Sequence, residues 1–270
     1  MTHASQAVPS DGTTPGVYRA HASRSLYWLP RPGLGRLLWG VVTYFFTHLS
    51  ISGFWFYFRV LNRTTVLGHE HIGEHRNTLL LSNHQSMIDS FPVAMFAFYP
   101  RSLLKPHLMP WHPAAEENFF KNRLVRWMAT HWRCIPVRRG RRDLNALNRM
   151  MEVLPGGVLT LFPEGTRSRD SSIGKGRPGA GFVIMGTKPR VIPVAIDGMH
   201  DLLPIGSWFP RIFKRIYVSY GEPVDYSDHL GEPRTRETAQ AIVDQVMDSI
   251  NGQLVEIRAI RSGSADDLAA

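Results

Sequence analysis

The chain has 270 residues, 43% of them apolar, and its 31 lysines and arginines outnumber 22 acids to leave a formal charge of +9. That apolar share is enough for a sizeable core and excludes a fully disordered chain, while the single cysteine, Cys134, excludes a disulfide framework or a cysteine-based zinc finger. A pI near 10.0 calls for an anionic partner, and composition by itself leaves nucleic acid, acidic lipid and a phosphorylated ligand all open.

In chain order, residues 1–16 are small, polar and rich in proline and glycine, the composition of a disordered leader without the features of a signal peptide. Residues 17–61 are expected to associate with a membrane. Between Arg36 and Arg59 lie 22 residues without a formal charge, close to the ~20 that a spanning helix needs. Aromatic rings crowd this run and favour the headgroup level of a bilayer, and four arginines precede it. His48, Ser50, Ser52 and Gly53 in its middle predict a break into two shorter helices lying partly in one leaflet, with spanning and one-sided insertion both open.

From residue 62 the pattern alternates. Strands are expected at 64–68, 77–83, 101–105, 133–137, 156–162, 190–196 and 215–221, and helices at 86–98, 117–132, 143–154, 180–187 and 235–258. This alternation predicts one α/β domain over 62–258 with a mostly parallel central sheet flanked by helices, followed by a flexible tail at 259–270. Charge is uneven along it. Residues 118–142 hold eight cations and no acid, a face suited to phosphates or anionic lipid, whereas 222–256 holds eight acids and two arginines.

Three stretches could carry chemistry. Asn83-His84-Gln85-Ser86-Met87-Ile88-Asp89 follows an apolar strand. With His84 in the strand-to-helix turn and Asp89 in the first helical turn, the carboxylate can fix the imidazole tautomer and leave the other ring nitrogen to take a proton from a hydroxyl. The same residues contain Ser86-x-x-Asp89, a near capping box, and this His–Asp spacing arises by chance about 0.5 times in a chain of this composition. The second stretch, Phe162-Pro163-Glu164-Gly165-Thr166-Arg167-Ser168, also ends a strand. Gly165 permits a tight turn, Arg167 offers a planar donor fork for phosphate, and Thr166 and Ser168 supply hydroxyls. An internal Glu–Arg pair in an ordinary turn is the plain alternative. The third, Cys134-Ile135-Pro136-Val137-Arg138-Arg139, is a strand ending in arginines. All three fall at carboxyl ends of strands, where open α/β sheets collect ligands.

The order of these blocks, NHQSMID, CIPVRR, FPEGTRS and then VIPVAIDG, resembles the four-block signature of the glycerolipid acyltransferases, nearest to the bacterial 1-acylglycerol-3-phosphate acyltransferases. The resemblance covers residues 64–225. It implies that His84 is the general base and Asp89 its orienting partner. It also implies that Arg139, Glu164, Gly165, Thr166 and Arg167 lie on the side that binds the phosphate-bearing acceptor, that Pro193 helps shape the acyl side, and that Lys105, the lysine preceding the second block, is a further substrate-binding residue. The chain departs from the family pattern at Arg133, where glycine is usual, and after Lys105, where Pro106 and His107 replace an acid. The implied reaction moves a fatty acyl group from acyl-coenzyme A or acyl carrier protein directly to the sn-2 hydroxyl of 1-acylglycerol 3-phosphate. Neither a cofactor nor a metal is expected, nor an acyl-enzyme on Cys134, which lies inside an apolar strand. Another acceptor, such as glycerol 3-phosphate or a lyso-aminolipid, and a non-catalytic lipid-binding relative are the alternatives. The implied location is the inner membrane, with the site facing the cytoplasm.

Two other function classes are disfavoured. Residues 68–75 pack three histidines and two glutamates together, but Gly73 breaks the helix that would align His71 with His75 on a metal. A nucleic-acid surface would interleave aromatics with the arginines, and here the aromatics cluster in the N-terminal run instead.

Overall fold

The computed structural model describes residues 33–138, 143–168, 170–207 and 209–263. The expected leader and residues 17–32 of the expected membrane-associated segment lie outside these residues. The chain opens with helix α1 (Leu34–Phe56), which runs on as a π-helical turn through Tyr57–Leu61. The expected break in this helix is absent. Its polar residues satisfy themselves within it: Ser50 and Ser52 donate to the carbonyls of Phe46 and His48 at 2.7 and 2.8 Å, and His48 Nδ1 lies 2.8 Å from Tyr44 O. Back-bonding to the preceding turn removes the reason for a break.

Five strands, β1 (Arg63–Leu67), β2 (Thr78–Ser82), β5 (Val158–Leu161), β6 (Arg190–Asp197) and β7 (Arg215–Tyr220), form the main sheet in the order β1-β7-β6-β2-β5. Every neighbouring pair is parallel except β6–β7. A two-stranded parallel sheet, β3 (His112–Ala115) with β4 (Cys134–Val137), attaches to β5 through Trp111, whose backbone bonds to Val158 O and Thr160 N at 2.9 Å. The remaining helices are α2 (Ser90–Phe98), α3 (Glu116–Phe119), α4 (Arg123–His131), α5 (Leu144–Val153), α6 (Gly179–Thr187), α7 (Met199–Leu202) and α8 (Arg236–Ser262).

Strand alternation divides the core. On β2, Leu79 and Leu81 face α5, α6 and α8, while Leu80 faces the α1–α2 side; on β6, Val191 and Ala195 oppose Ile192, Val194 and Ile196. A sheet buried on both faces needs near-continuous apolar runs, and the sequence has them. On α8, Ala239, Ile242, Val243, Val246, Ile250 and Leu254 recur at helical spacing and are all buried.

Three further expectations are corrected. Residues 101–105 are no strand: α2 returns the chain to the amino edge of the sheet, where Arg101–Leu103 and Pro106–Leu108 form short 3-10 turns. The partner of β4 is instead His112–Ala115, which proline and histidine disguise. The helix expected over 117–132 is interrupted at Phe120–Asn122, and Asn122 caps the second part by accepting from Leu124 N at 2.8 Å. Finally, α8 continues through Ser262, so residues 259–262 are helix and not tail.

Candidate active site

The carboxyl edge of β2 carries the first block. His84 lies in the irregular turn after the strand, and Asp89 is the last residue before α2. His84 Nδ1 and Asp89 Oδ2 are 2.9 Å apart. The same oxygen accepts from Gln85 N at 2.6 Å and Ser86 N at 2.8 Å, so the reach-back of a capping box and the His–Asp pair are one arrangement. Asp89 is fully buried, and these donors compensate its charge. With Nδ1 held, Nε2 is the nitrogen left for proton transfer, and no described residue bonds to it. The ring lies flat on Phe162, with centroids 4.2 Å apart, and the side chain keeps 14% of its surface exposed.

The third block reaches the same turn. Ser168 N donates to His84 O at 2.8 Å, which brings the whole Phe162–Ser168 loop alongside. Gly165 has φ +67, a conformation that favours glycine, and Arg177 packs over it, 3.3 Å from where a β-carbon would sit. Arg167 is half-buried on this loop, and Thr166 is exposed.

Glu164, which the resemblance puts on the acceptor-binding side, meets the backbone of two loops. Its side chain is buried, and its two oxygens accept from backbone groups: Oε1 from His84 N at 2.8 Å, Oε2 from Gly174 N at 2.9 Å. Burial raises its pKa, and these two bonds act against that rise. A carboxylate so engaged fastens the histidine turn to the third block.

Lys105 is not brought to this site. It is exposed at the opposite, amino edge of the sheet and forms an ion pair with Glu74, because the helix between it and His84 reverses the chain direction. The strand that precedes the second block ends at Ala115, and Glu116 follows it and bonds to Arg138 Nε at 2.8 Å. Arg139 lies outside the described residues.

The departure at Arg133 has a local explanation. Arg133 has φ +57 just beyond α4, a left-handed position where glycine costs least. It is held there by a 2.8 Å bond from Nη1 to Met109 O and by stacking over Trp111 at 5.5 Å. Burial lowers its pKa to about 10, and burial, then Arg133 itself, lower that of the neighbouring His112 to about 4.

Several residues of the four blocks take roles that their sequence did not indicate. Asn83 bridges to β6, donating to Ile196 O at 2.9 Å and accepting from Ile196 N at 2.8 Å. Gln85 donates to buried Asp197 at 3.1 Å and accepts from Met199 N at 3.1 Å. Asp197 is in turn bonded by Arg261 of α8 at 2.6 Å. The only local signal was the acid closing the apolar run of β6. The backbone N–H groups of residues 84–86 are taken up by Glu164 and Asp89. Cys134 is buried, with its thiol pushed up to about 12, which unsuits it as a nucleophile. Among the described residues no group of three or more metal-ligating side chains converges. His69, His71 and Glu74 turn instead to Arg101, Tyr220 O and Lys105.

A sequence model described as Acyltransferase matches residues 63–197. The chain is 28% identical over 130 residues to the chloroplastic 1-acyl-sn-glycerol-3-phosphate acyltransferase LPAT1 of Arabidopsis thaliana, covering 47% of this chain and 33% of that protein. It is 30% identical over 162 residues to the N-acylphosphatidylethanolamine synthase of the same plant, covering 55% and 56%. The chain thus spans between a third and just over half the length of these relatives. Its structure superposes on the crystal structure of the 1-acyl-sn-glycerophosphate acyltransferase PlsC of Thermotoga maritima with a TM-score of 0.58 at 24% identity, over 83% of this chain and 82% of that one. The fold, a mostly parallel sheet flanked by helices behind an apolar N-terminal helix, is therefore that of an acyltransferase. The chain belongs to the glycerolipid acyltransferase family, near its 1-acylglycerol-3-phosphate acyltransferases.

Proposed function

We propose that the chain is a membrane-associated O-acyltransferase that carries a fatty acyl group from acyl-coenzyme A or acyl carrier protein to the sn-2 hydroxyl of 1-acylglycerol 3-phosphate, giving phosphatidate. The observation that carries this reading is the 2.9 Å His84–Asp89 pair at the carboxyl edge of β2, with the arginine-bearing loop bonded to the same histidine.

In the proposed reaction His84 Nε2 removes the proton of the acceptor hydroxyl as that oxygen attacks the thioester carbonyl carbon. Buried Asp89 stabilises the imidazolium that forms. The tetrahedral intermediate collapses, the C–S bond breaks, and the imidazolium returns its proton to the departing thiolate. Arg167 holds the acceptor phosphate through charge-assisted bonds. Both candidate donors carry negative charge toward a basic protein. The helix Leu34–Leu61, long and apolar enough to cross a membrane, supports association with a bilayer, in this proposal the inner membrane with the site on its cytoplasmic side.

A second reading keeps the chemistry and changes the acceptor to an amine-bearing phospholipid. It is favoured by the similarity to the N-acylphosphatidylethanolamine synthase. Product mass from a panel of acceptors separates the readings: phosphatidate from the lysophosphatidate arm alone supports the first, and an N-acylated aminolipid, or a diacyl aminolipid made from its lyso form, replaces it with the second. In the same assay His84→Ala is expected to lower acceptor-dependent thiol release by about 10² to 10⁴, the usual contribution of a general base. Equal rates in wild type and variant would reject the base assignment.

A further inference from the structure

The segment between α7 and β7 has no part in the chemistry proposed above. It leaves the site edge at Leu203, whose carbonyl accepts from Ser86 Oγ at 3.2 Å, and it is closed at its neck by Arg211 N donating to Leu202 O at 2.8 Å. What it displays is apolar. Phe209 is 85% exposed and Phe213 78%, with Ile205 and Ile212 exposed beside them. Phe213 also stands at φ +62, strained for a bulky residue. Between Asp201 and Glu222 the only charges are Arg211, Lys214 and Arg215, all positive.

This loop is fastened to the end of the apolar N-terminal helix. Phe213 N donates to Leu61 O at 2.9 Å, Lys214 N to Asn62 Oδ1 at 2.9 Å, and the Tyr57 hydroxyl to the Arg211 carbonyl. Along α1, Leu34, Leu38, Phe45, Leu49 and Phe56 form an exposed stripe at helical spacing that ends beside Val60. The sheet register fixes where it ends: β1 starts opposite Arg215 of β7, and β7 starts at the edge where β6 finishes, which is the edge His84 occupies beside β2.

We infer that Phe209 and Phe213 form a second bilayer contact, which inserts these rings into an anionic lipid surface and sets the His84 edge of the sheet against it. The inference rests on the proposed membrane association of α1 and adds to it a site and an orientation. Apolar tips with cationic flanks suit an anionic interface, since the rings enter the acyl boundary while the cations meet the headgroups. A lipid acceptor would then reach the histidine from the membrane plane.

The test uses the full chain with one introduced cysteine. Cys134 is buried with its thiol pushed up to about 12, so Phe209→Cys and, separately, Leu38→Cys can each be labelled with an environment-sensitive fluorophore. Each protein is mixed with vesicles of phosphatidylcholine and phosphatidylglycerol bearing quenchers on their acyl chains. Quenching of about twofold or more at both positions is expected, falling to about half or less at position 209 on phosphatidylcholine alone. Quenching at 38 without quenching at 209 overturns the loop contact and leaves the membrane reading standing. No quenching at either position overturns both. Equal quenching at 209 on the two vesicle types overturns the anionic preference. A label at 209 shielded in the absence of lipid overturns the proposal in favour of contact with a second copy of the chain.

Discussion

His84 is held from three directions: by Asp89 at its ring, by Glu164 at its amide and by Ser168 at its carbonyl. The two acids do different work, and kinetics separates them from Arg167. Glu164→Gln keeps the volume but turns an NH2 group toward one of two backbone donors. Hydrogen bonds to charged groups contribute about 1.5–3 kcal/mol, so a loss of roughly ten- to a hundredfold in kcat is expected, with acceptor KM nearly unchanged. Arg167→Ala is expected to raise acceptor KM about tenfold or more and to touch kcat less, because it removes binding made equally before and during reaction. If steady-state kinetics gave Glu164→Gln the KM signature of Arg167→Ala, the carboxylate would be a ligand-binding group after all. Arg133 teaches the same lesson in reverse: a departure at a motif position proves to be a left-handed backbone site held by packing, with no reach toward the acceptor loop required of it.

At the scale of elements, α8 lies beyond the segment matched by the family yet closes the site. Arg261 bonds Asp197 and Asp201, while Arg258 lies 3.5 Å from Asp197 and donates to Ser171 O beside the third block. Asp197 is the residue that Gln85 grips. The last turn of the C-terminal helix is thereby tied to the first, third and fourth blocks. Arg261→Ala leaves a buried carboxylate short of a cation and is expected to cost about 1–3 kcal/mol in denaturant unfolding, discounted because Arg261 is partly exposed. A fall in kcat should accompany it, and Arg261→Lys should recover part of both. A variant with unchanged stability and turnover would show that α8 merely packs on the sheet.

For the whole molecule, α1 is both a surface and a piece of the core. Its outer stripe is exposed, while Phe58, in the π-helical turn that continues α1, is fully buried among Ile72, Val93 and Ile216, and Thr47 bonds His131 O at 2.8 Å. Deleting residues 1–61 therefore removes more than an anchor. Loss of one buried phenylalanine already costs about 3–5 kcal/mol, a large share of the stability of an ordinary domain. The truncated chain is expected to aggregate or to lose cooperative melting. Leu38→Ser with Phe45→Ser should instead keep the melting temperature within a few degrees and weaken vesicle pelleting. A stable, monomeric truncation in sedimentation and thermal melts would show that the helix is dispensable to the core.

What was legible in the residue order was what depends on near neighbours. The β–α alternation, the apolar runs of β2 and β6, the period of α8, and the His84–Asp89 spacing that brackets a strand-to-helix turn all follow from local geometry. The serines of α1 show the limit of such signals, since the same side chains that would loosen a helix in water bond back to its carbonyls. Tertiary structure alone decided which charges meet. Lys105 and His84 are near in sequence, but a helix between two edges of a parallel sheet sends them to opposite ends. Glu164 and His84 are 80 residues apart, and Arg261 and Asp197 are 64 apart, yet strand order brings each pair to one edge. A carboxylate's role depends on which donors surround it in space, and only the packing of the sheet and its helices specifies them.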